Sequence, residues 1–204
     1  MKDLESQQHK AHQTKMQKLK ENIDASIESA SLERGVCILL TGNGKGKTSS
    51  AFGMVMRALG YGHKVAVVQF IKGEQLSGEE LYLRDQCPQV KFYQMATGFT
   101  WDTQDRSGDI AAAEKTWEVA EQVLADEQYD LLVLDELTYM LSFKYLDKER
   151  VLKALKSRPY EQSLVVTGRG GGSELAELAD TVSEVKEIKH AYNEGVMARK
   201  GVDF

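Results

Sequence analysis

Thr41-Gly42-Asn43-Gly44-Lys45-Gly46-Lys47-Thr48 follows the apolar run Val36-Cys37-Ile38-Leu39-Leu40 and opens a stretch, 47–59, whose apolar residues recur at helical spacing. The glycines let the backbone curl until several N–H groups face one anion. The helix start adds its partial positive charge, Lys47 adds a full charge, and Thr48 adds a hydroxyl suited to Mg²⁺. A flexible glycine turn does not account for Gly-Lys-Thr at a strand-to-helix junction, so the segment reads as a phosphate loop. It departs from the usual G-x-x-x-x-G-K-[ST] in one respect: Thr41 stands where the first glycine belongs, and Gly42 makes the loop one residue short. Phosphate binding follows from this pattern; the reaction does not.

Outward from the loop, short apolar runs recur at Val65-Ala66-Val67-Val68-Gln69-Phe70, Leu131-Leu132-Val133-Leu134 and Leu164-Val165-Val166. Continuous rather than alternating apolar strands are buried on both faces, the mark of a parallel sheet. Helical patterns at 47–59, 109–125, 148–157 and 173–179 separate them, with Asp109 expected to cap the second and Gly60 to stop the first. Strand and helix in alternation predict an α/β fold, a mostly parallel sheet flanked by helices and joined by right-handed crossovers.

Residues 1–34 differ. They are rich in Lys, Gln, Glu and Ser, and only Met16, Leu19, Ile23 and Ile27 form a thin apolar stripe at helical spacing. They are expected to form an N-terminal helical arm ahead of a nucleotide-binding domain at 35–204. Two readings of the arm stay open: a solvated extension, or a helix that docks on its own domain or on a second subunit.

The chain has 204 residues, ample for a sizeable core, and its 42% hydrophobic and 28% charged content excludes disorder over the whole chain. With 26 Lys and Arg against 31 Asp and Glu, the net charge of −5 argues against a nucleic-acid binder and for a small-molecule partner. Two cysteines make neither a disulfide framework nor a Cys-rich zinc site, and Cys37 reads as a small buried hydrophobe. No apolar stretch approaches the roughly 20 residues that span a bilayer, and the first residues lack a signal peptide's apolar core. A cytoplasmic location is expected.

Leu131-Leu132-Val133-Leu134-Asp135-Glu136 is a strand ending in two acids. Asp135, at the carboxyl end of a parallel strand, belongs beside the loop, where it accepts Mg²⁺ or its water. Glu136 is a candidate to help hold the metal or to polarise a hydrolytic water; the alternative for the pair is a helix cap. Thr48, Asp135 and Glu136 are the candidate metal residues. The four histidines, His9, His12, His63 and His190, suggest no triad or metal cluster.

Five blocks carry a more specific signal: Gly42 to Thr48, Val68-Gln69-Phe70-Ile71-Lys72-Gly73, Met95-Ala96-Thr97-Gly98-Phe99-Thr100-Trp101, Leu134-Asp135-Glu136-Leu137-Thr138-Tyr139-Met140 and Thr167-Gly168-Arg169-Gly170. In order and spacing they resemble the bacterial corrinoid adenosyltransferases of the phosphate-loop type, and the ending from Ala179 through Val196 is similar too. The resemblance covers roughly 35–204, and the arm more weakly. It implies a phosphate-loop nucleotide-binding (RecA-like) fold and an enzyme that moves the 5′-deoxyadenosyl group of ATP onto the Co(I) of a reduced corrinoid, releasing triphosphate. It also implies Mg²⁺ (or Mn²⁺), a homodimer and a reduced flavoprotein as electron donor. The nucleotide is then reversed relative to phosphate-loop hydrolases, so the short loop grips a leaving group.

On that reading Gly42, Asn43, Gly44, Lys45, Gly46, Lys47 and Thr48 bind the nucleotide, joined by Arg169 among its glycines and by Arg57, which reads equally as a helix-surface charge. Lys47 neutralises the departing triphosphate. Phe99 and Trp101 share one face of an extended segment, and the resemblance assigns them to closing the lower face of the corrin so that Co(II) sheds its ligand before reduction. An aromatic pair anchoring a loop is the other reading of those rings. The competing function is a phosphate-loop ATPase in which Glu136 activates water, and the physiological corrinoid is left open.

Overall fold

The structure, a computed structural model, describes residues 2–71, 76–95 and 105–204. It divides into two compact units, Met1–Glu33 and Arg34–Phe204. The first is one helix, α1 (Lys2–Ser29). Its Met16, Leu19, Ile23 and Ile27 are all exposed. A stripe that thin buries nothing by itself, and the polar remainder needs no partner to stay solvated.

The second unit is a six-stranded sheet with helices on both faces. In chain order it contains β1 (Cys37–Thr41), α2 (Lys47–Gly60), β2 (Val65–Gln69), α3 (Gly78–Gln86), β3 (Lys91–Gln94), α4 (Arg106–Leu124) and β4 (Leu131–Asp135). It continues with α5 (Leu137–Ser142), α6 (Lys148–Lys156), β5 (Ser163–Thr167), α7 (Gly172–Leu178) and β6 (Thr181–Glu184). The strand order is β3-β2-β4-β5-β1-β6, and every pairing is parallel.

The apolar runs work as two alternating sets. Ala66, Val68, Phe70, Leu132, Leu134, Leu164 and Val166 face one core, where Trp117 of α4 is buried beside Phe70, their ring centres 6.3 Å apart. Val65, Val67, Leu131, Val133 and Val165 face the other, closed by Ala51, Phe52 and Val55 of α2 and Leu83 of α3. Burial on both faces is why these strands read as unbroken apolar runs.

The structure corrects two details. Helix α4 starts at Arg106, earlier than expected, because Asp105 is its cap: its Oδ1 accepts from the N–H groups of Ser107 and Gly108, both at 3.2 Å. Asp109 lies inside the first turn and is buried. Gly60 is the last residue of α2, and the left-handed turn that follows uses Gly62, with φ of 77°.

Candidate phosphate-binding site

In an all-parallel sheet the carboxyl ends of the strands line one edge, and polar residues there meet. Thr41, Gln69, Asp135 and Thr167 are the last residues of β1, β2, β4 and β5. The loop leaves β1 at this edge and enters α2. Helix α2 has no side-chain cap, whereas α3, α4 and α6 are capped by Ser77, Asp105 and Asp147. Its first N–H groups are therefore left to an anion.

The loop rests on the chain leaving β6. The Gly44 N–H donates to the Val185 carbonyl at 2.7 Å. A Cβ on Gly42 would fall 2.4 Å from that same carbonyl, and φ there is 99°. Glycine is required by contact as well as by conformation. Lys47 is buried, and its ammonium donates back to the Gly44 carbonyl at 2.9 Å, so the charge stays within the loop. Burial lowers its pKa, opposed by the negative charge of Glu136 and reinforced by Arg169. Lys45 reaches outward to Asp203, 3.0 Å away.

Asp135 is buried and receives three side-chain hydrogen bonds: Thr167 Oγ1 at 2.6 Å and Thr48 Oγ1 at 3.0 Å on Oδ1, and Gln69 Nε2 at 2.8 Å on Oδ2. Burial raises its pKa, and these three donors pull the other way. Glu136 follows in a left-handed conformation, φ 60° and ψ 22°, at the position that would cap α5, yet its side chain makes no cap bond. Its Oε2 is buried without a hydrogen-bond partner, and burial together with neighbouring Asp135 pushes the carboxyl up to about 7. The helix-cap reading of the acid pair is set aside on this geometry. β5 leaves the same edge through Gly168, whose φ is 139°; a Cβ there would overlap Thr138 Oγ1 and come within 3.0 Å of Glu136 Oε2.

These groups surround a cleft of about 630 Å³ lined by Asn43 to Ser49, Glu136, Tyr139 and Arg169. Ser77 to Glu79 form one further wall, and His190 with Gly201 to Phe204 form another. Tyr139 and His190 were not expected as site residues from the sequence, nor was the 201–204 segment. The donor set fits a hard divalent cation: two carboxylates, one with an orphaned oxygen, and a hydroxyl, which suits Mg²⁺ completed by phosphate oxygens. Among the described residues no cluster of three or more His, Cys, Asp or Glu is placed to hold a metal ion, so a cation here would rest on two carboxylates and the Thr48 hydroxyl.

Of the expected nucleotide residues, Gly42 to Thr48 and Arg169 come together. Arg57 does not join them within this chain: it lies in the last turn of α2, about 15 Å along the helix from Lys47. There it lines a separate cleft with Tyr61, His63 and Asp130. Phe99 and Trp101 lie outside the described residues. Among the described residues no helix is long and apolar enough to cross a membrane.

Residues 33–204 match the family described as ATP:corrinoid adenosyltransferase BtuR/CobO/CobP. The chain is 50% identical to the corrinoid adenosyltransferase of Escherichia coli K12 over 193 residues, 95% of this chain and 97% of that one. It is 51% identical to the corrinoid adenosyltransferase of Pseudomonas aeruginosa, covering 95% of both chains. With that of Salmonella typhimurium it shares 48%, over 95% of this chain and 97% of the other. The chain belongs to the ATP:corrinoid adenosyltransferase family.

Proposed function

We propose that this chain transfers the 5′-deoxyadenosyl group of ATP to the Co(I) of a reduced corrinoid and releases triphosphate. The observation that carries the reading is the convergence of the short loop, Lys47, Arg169 and Glu136 on one cleft, with Asp135 buried behind it and hydrogen-bonded to Thr48, in a chain of this family. Nothing in the comparisons supports the ATPase alternative. The Co(I) lone pair forms the Co–C5′ bond, the C5′–O bond breaks, and its electron pair leaves on triphosphate. No proton has to be removed from the nucleophile, so the transfer step requires no general base.

What the reaction needs is a fixed C5′ and a stabilised leaving group. Lys47, Lys45, Arg169 and the N–H groups of the loop and of the start of α2 hold the triphosphate and oppose its growing charge. The Thr48 hydroxyl, Asp135 and Glu136 would hold Mg²⁺, which adds charge neutralisation on the phosphates. Tyr139 and the Ser77–Glu79 wall narrow the cleft beside the acids. Family resemblance supports three further parts: Phe99 and Trp101 displacing the lower corrin ligand, a homodimer in the cytoplasm, and a reduced flavoprotein as electron source.

Anaerobic incubation with ATP and a chemically reduced corrinoid tests the proposal. A light-sensitive alkylcobalt product with stoichiometric triphosphate is expected. ADP and phosphate formed without corrin would replace this reading with hydrolysis.

A further inference from the structure

We propose that Thr167 is a positioning residue of this site, its single hydroxyl setting the conformation of both acids toward the metal. β5 lies between the acid strand β4 and the loop strand β1, so its last side chain is the one interposed between the two halves of the site. Thr167 is fully buried there. Its Oγ1 donates to Asp135 Oδ1 at 2.6 Å and accepts from the Glu136 backbone N–H at 3.0 Å. A hydroxyl has one hydrogen and two lone pairs, so it does both at once.

The second bond falls on a residue under conformational constraint. Glu136 occupies the left-handed region, which side chains other than Gly, Asn and Asp seldom enter. With its N–H held by Thr167, the backbone stays in that turn and the side chain stays beside Lys47 and Arg169, the charges that most oppose the rise in its pKa. The first bond fixes the Asp135 oxygen that also accepts from Thr48, while Gln69 holds the other oxygen. Removing the Thr167 hydroxyl leaves Gln69 and Thr48 on Asp135, but nothing on the Glu136 N–H. The loss should therefore appear in metal affinity before it appears in folding.

This inference rests on the metal site of the proposed reaction, so its test has a readout that needs no corrinoid. Binding of Mn²⁺ to the ATP complex is measured by electron paramagnetic resonance for wild type, Thr167→Val and Thr167→Ser. Val keeps the shape and removes both hydrogen bonds; Ser keeps the hydroxyl. Val is expected to weaken Mn²⁺ binding about 10–100-fold and to raise the half-saturating Mg²⁺ in the transfer assay by a similar factor. ATP binding without metal should be unchanged, and Ser should restore both measurements to near wild type. Equal Mn²⁺ affinity in wild type and the Val variant would overturn the proposal. So would a turnover loss that is the same at every Mg²⁺ concentration, or a Ser variant as impaired as Val. If the Val variant does not fold, Thr167→Ala is read by the same criteria. Wild type that binds Mn²⁺ with ATP but transfers no adenosyl group would reject the reaction and leave this inference standing.

Discussion

Glu136→Gln should make the metal-free protein more stable at pH 8 and no more stable at pH 4. The Glu136 carboxyl is raised from an ordinary 4.5 to about 7, chiefly by burial and then by Asp135. The folded state therefore holds a proton that the unfolded chain gives up as pH rises past 4.5. The stability associated with that proton is fully present below 4.5, declines between 4.5 and about 7, and is absent above. One pKa unit corresponds to about 1.4 kcal/mol, so the cost of ionising Glu136 in place is about 3 kcal/mol at pH 8. Gln is neutral at every pH and escapes it. For a domain of this size that corresponds to roughly 6–12 °C in Tm. Asp135 is common to both proteins, so its own titration largely cancels in the comparison. Urea unfolding in EDTA at pH 4, 6 and 8 reads the difference, which should grow across that range. The same variant should bind Mg²⁺ poorly and transfer slowly. Equal stability at pH 8, or the same gain at pH 4 as at pH 8, would refute the assignment of a buried, reluctantly ionised carboxyl at this position.

Lys47→Ala should abolish transfer and weaken ATP binding about 10–100-fold, since a charge-assisted contact is worth about 1.5–3 kcal/mol; titration calorimetry against ATP and a turnover assay check it. Replacing Phe99 and Trp101 together with Ala should leave ATP binding intact and impair the reaction severely from Co(II) but mildly from chemically supplied Co(I); the spectrum of bound Co(II) reads its coordination number directly. Deleting residues up to Glu28 should leave Tm nearly unchanged, because the thin apolar stripe of α1 (Met16, Leu19, Ile23 and Ile27) is exposed, while turnover with corrinoid falls; full-rate turnover with every corrinoid would make the arm a passive extension.

The four central strands were legible because each is buried on both faces and leaves an unbroken apolar run. The edge strands β3 and β6 were not. Thr181–Glu184 is exposed throughout, and the four residues Lys91–Gln94 alternate exposed and half-buried positions over too short a stretch to stand out. Asp109 was the cap expected from sequence, but it is buried in the first turn of α4, and Asp105 four residues earlier does the capping. The loop and the acid pair follow from local chemistry, but His190 and Asp203 reach the cleft only through the path of the chain after β6, which no local pattern encodes. Gln69 and Thr167 did carry a signal: each is the polar last residue of an apolar strand, as Asp135 is. In a parallel sheet those positions share an edge, so polar strand endings deserve comparison with one another as well as with their sequence neighbours.

The position of β1 also orders events during synthesis. It is the first strand made, yet its hydrogen-bonded neighbours are β5 and β6, and the loop it carries leans on Val185. At ~5–20 residues per second, roughly 7–30 s separate the emergence of the loop from that of its supports. Until then Gly42 to Thr48 lacks the Val185 carbonyl and the β5 and β6 pairings that support it. With the loop holding ATP as proposed, ATP should stabilise only chains that have passed β6 and Val185, and retention on an immobilised nucleotide should separate those from fragments ending before β6.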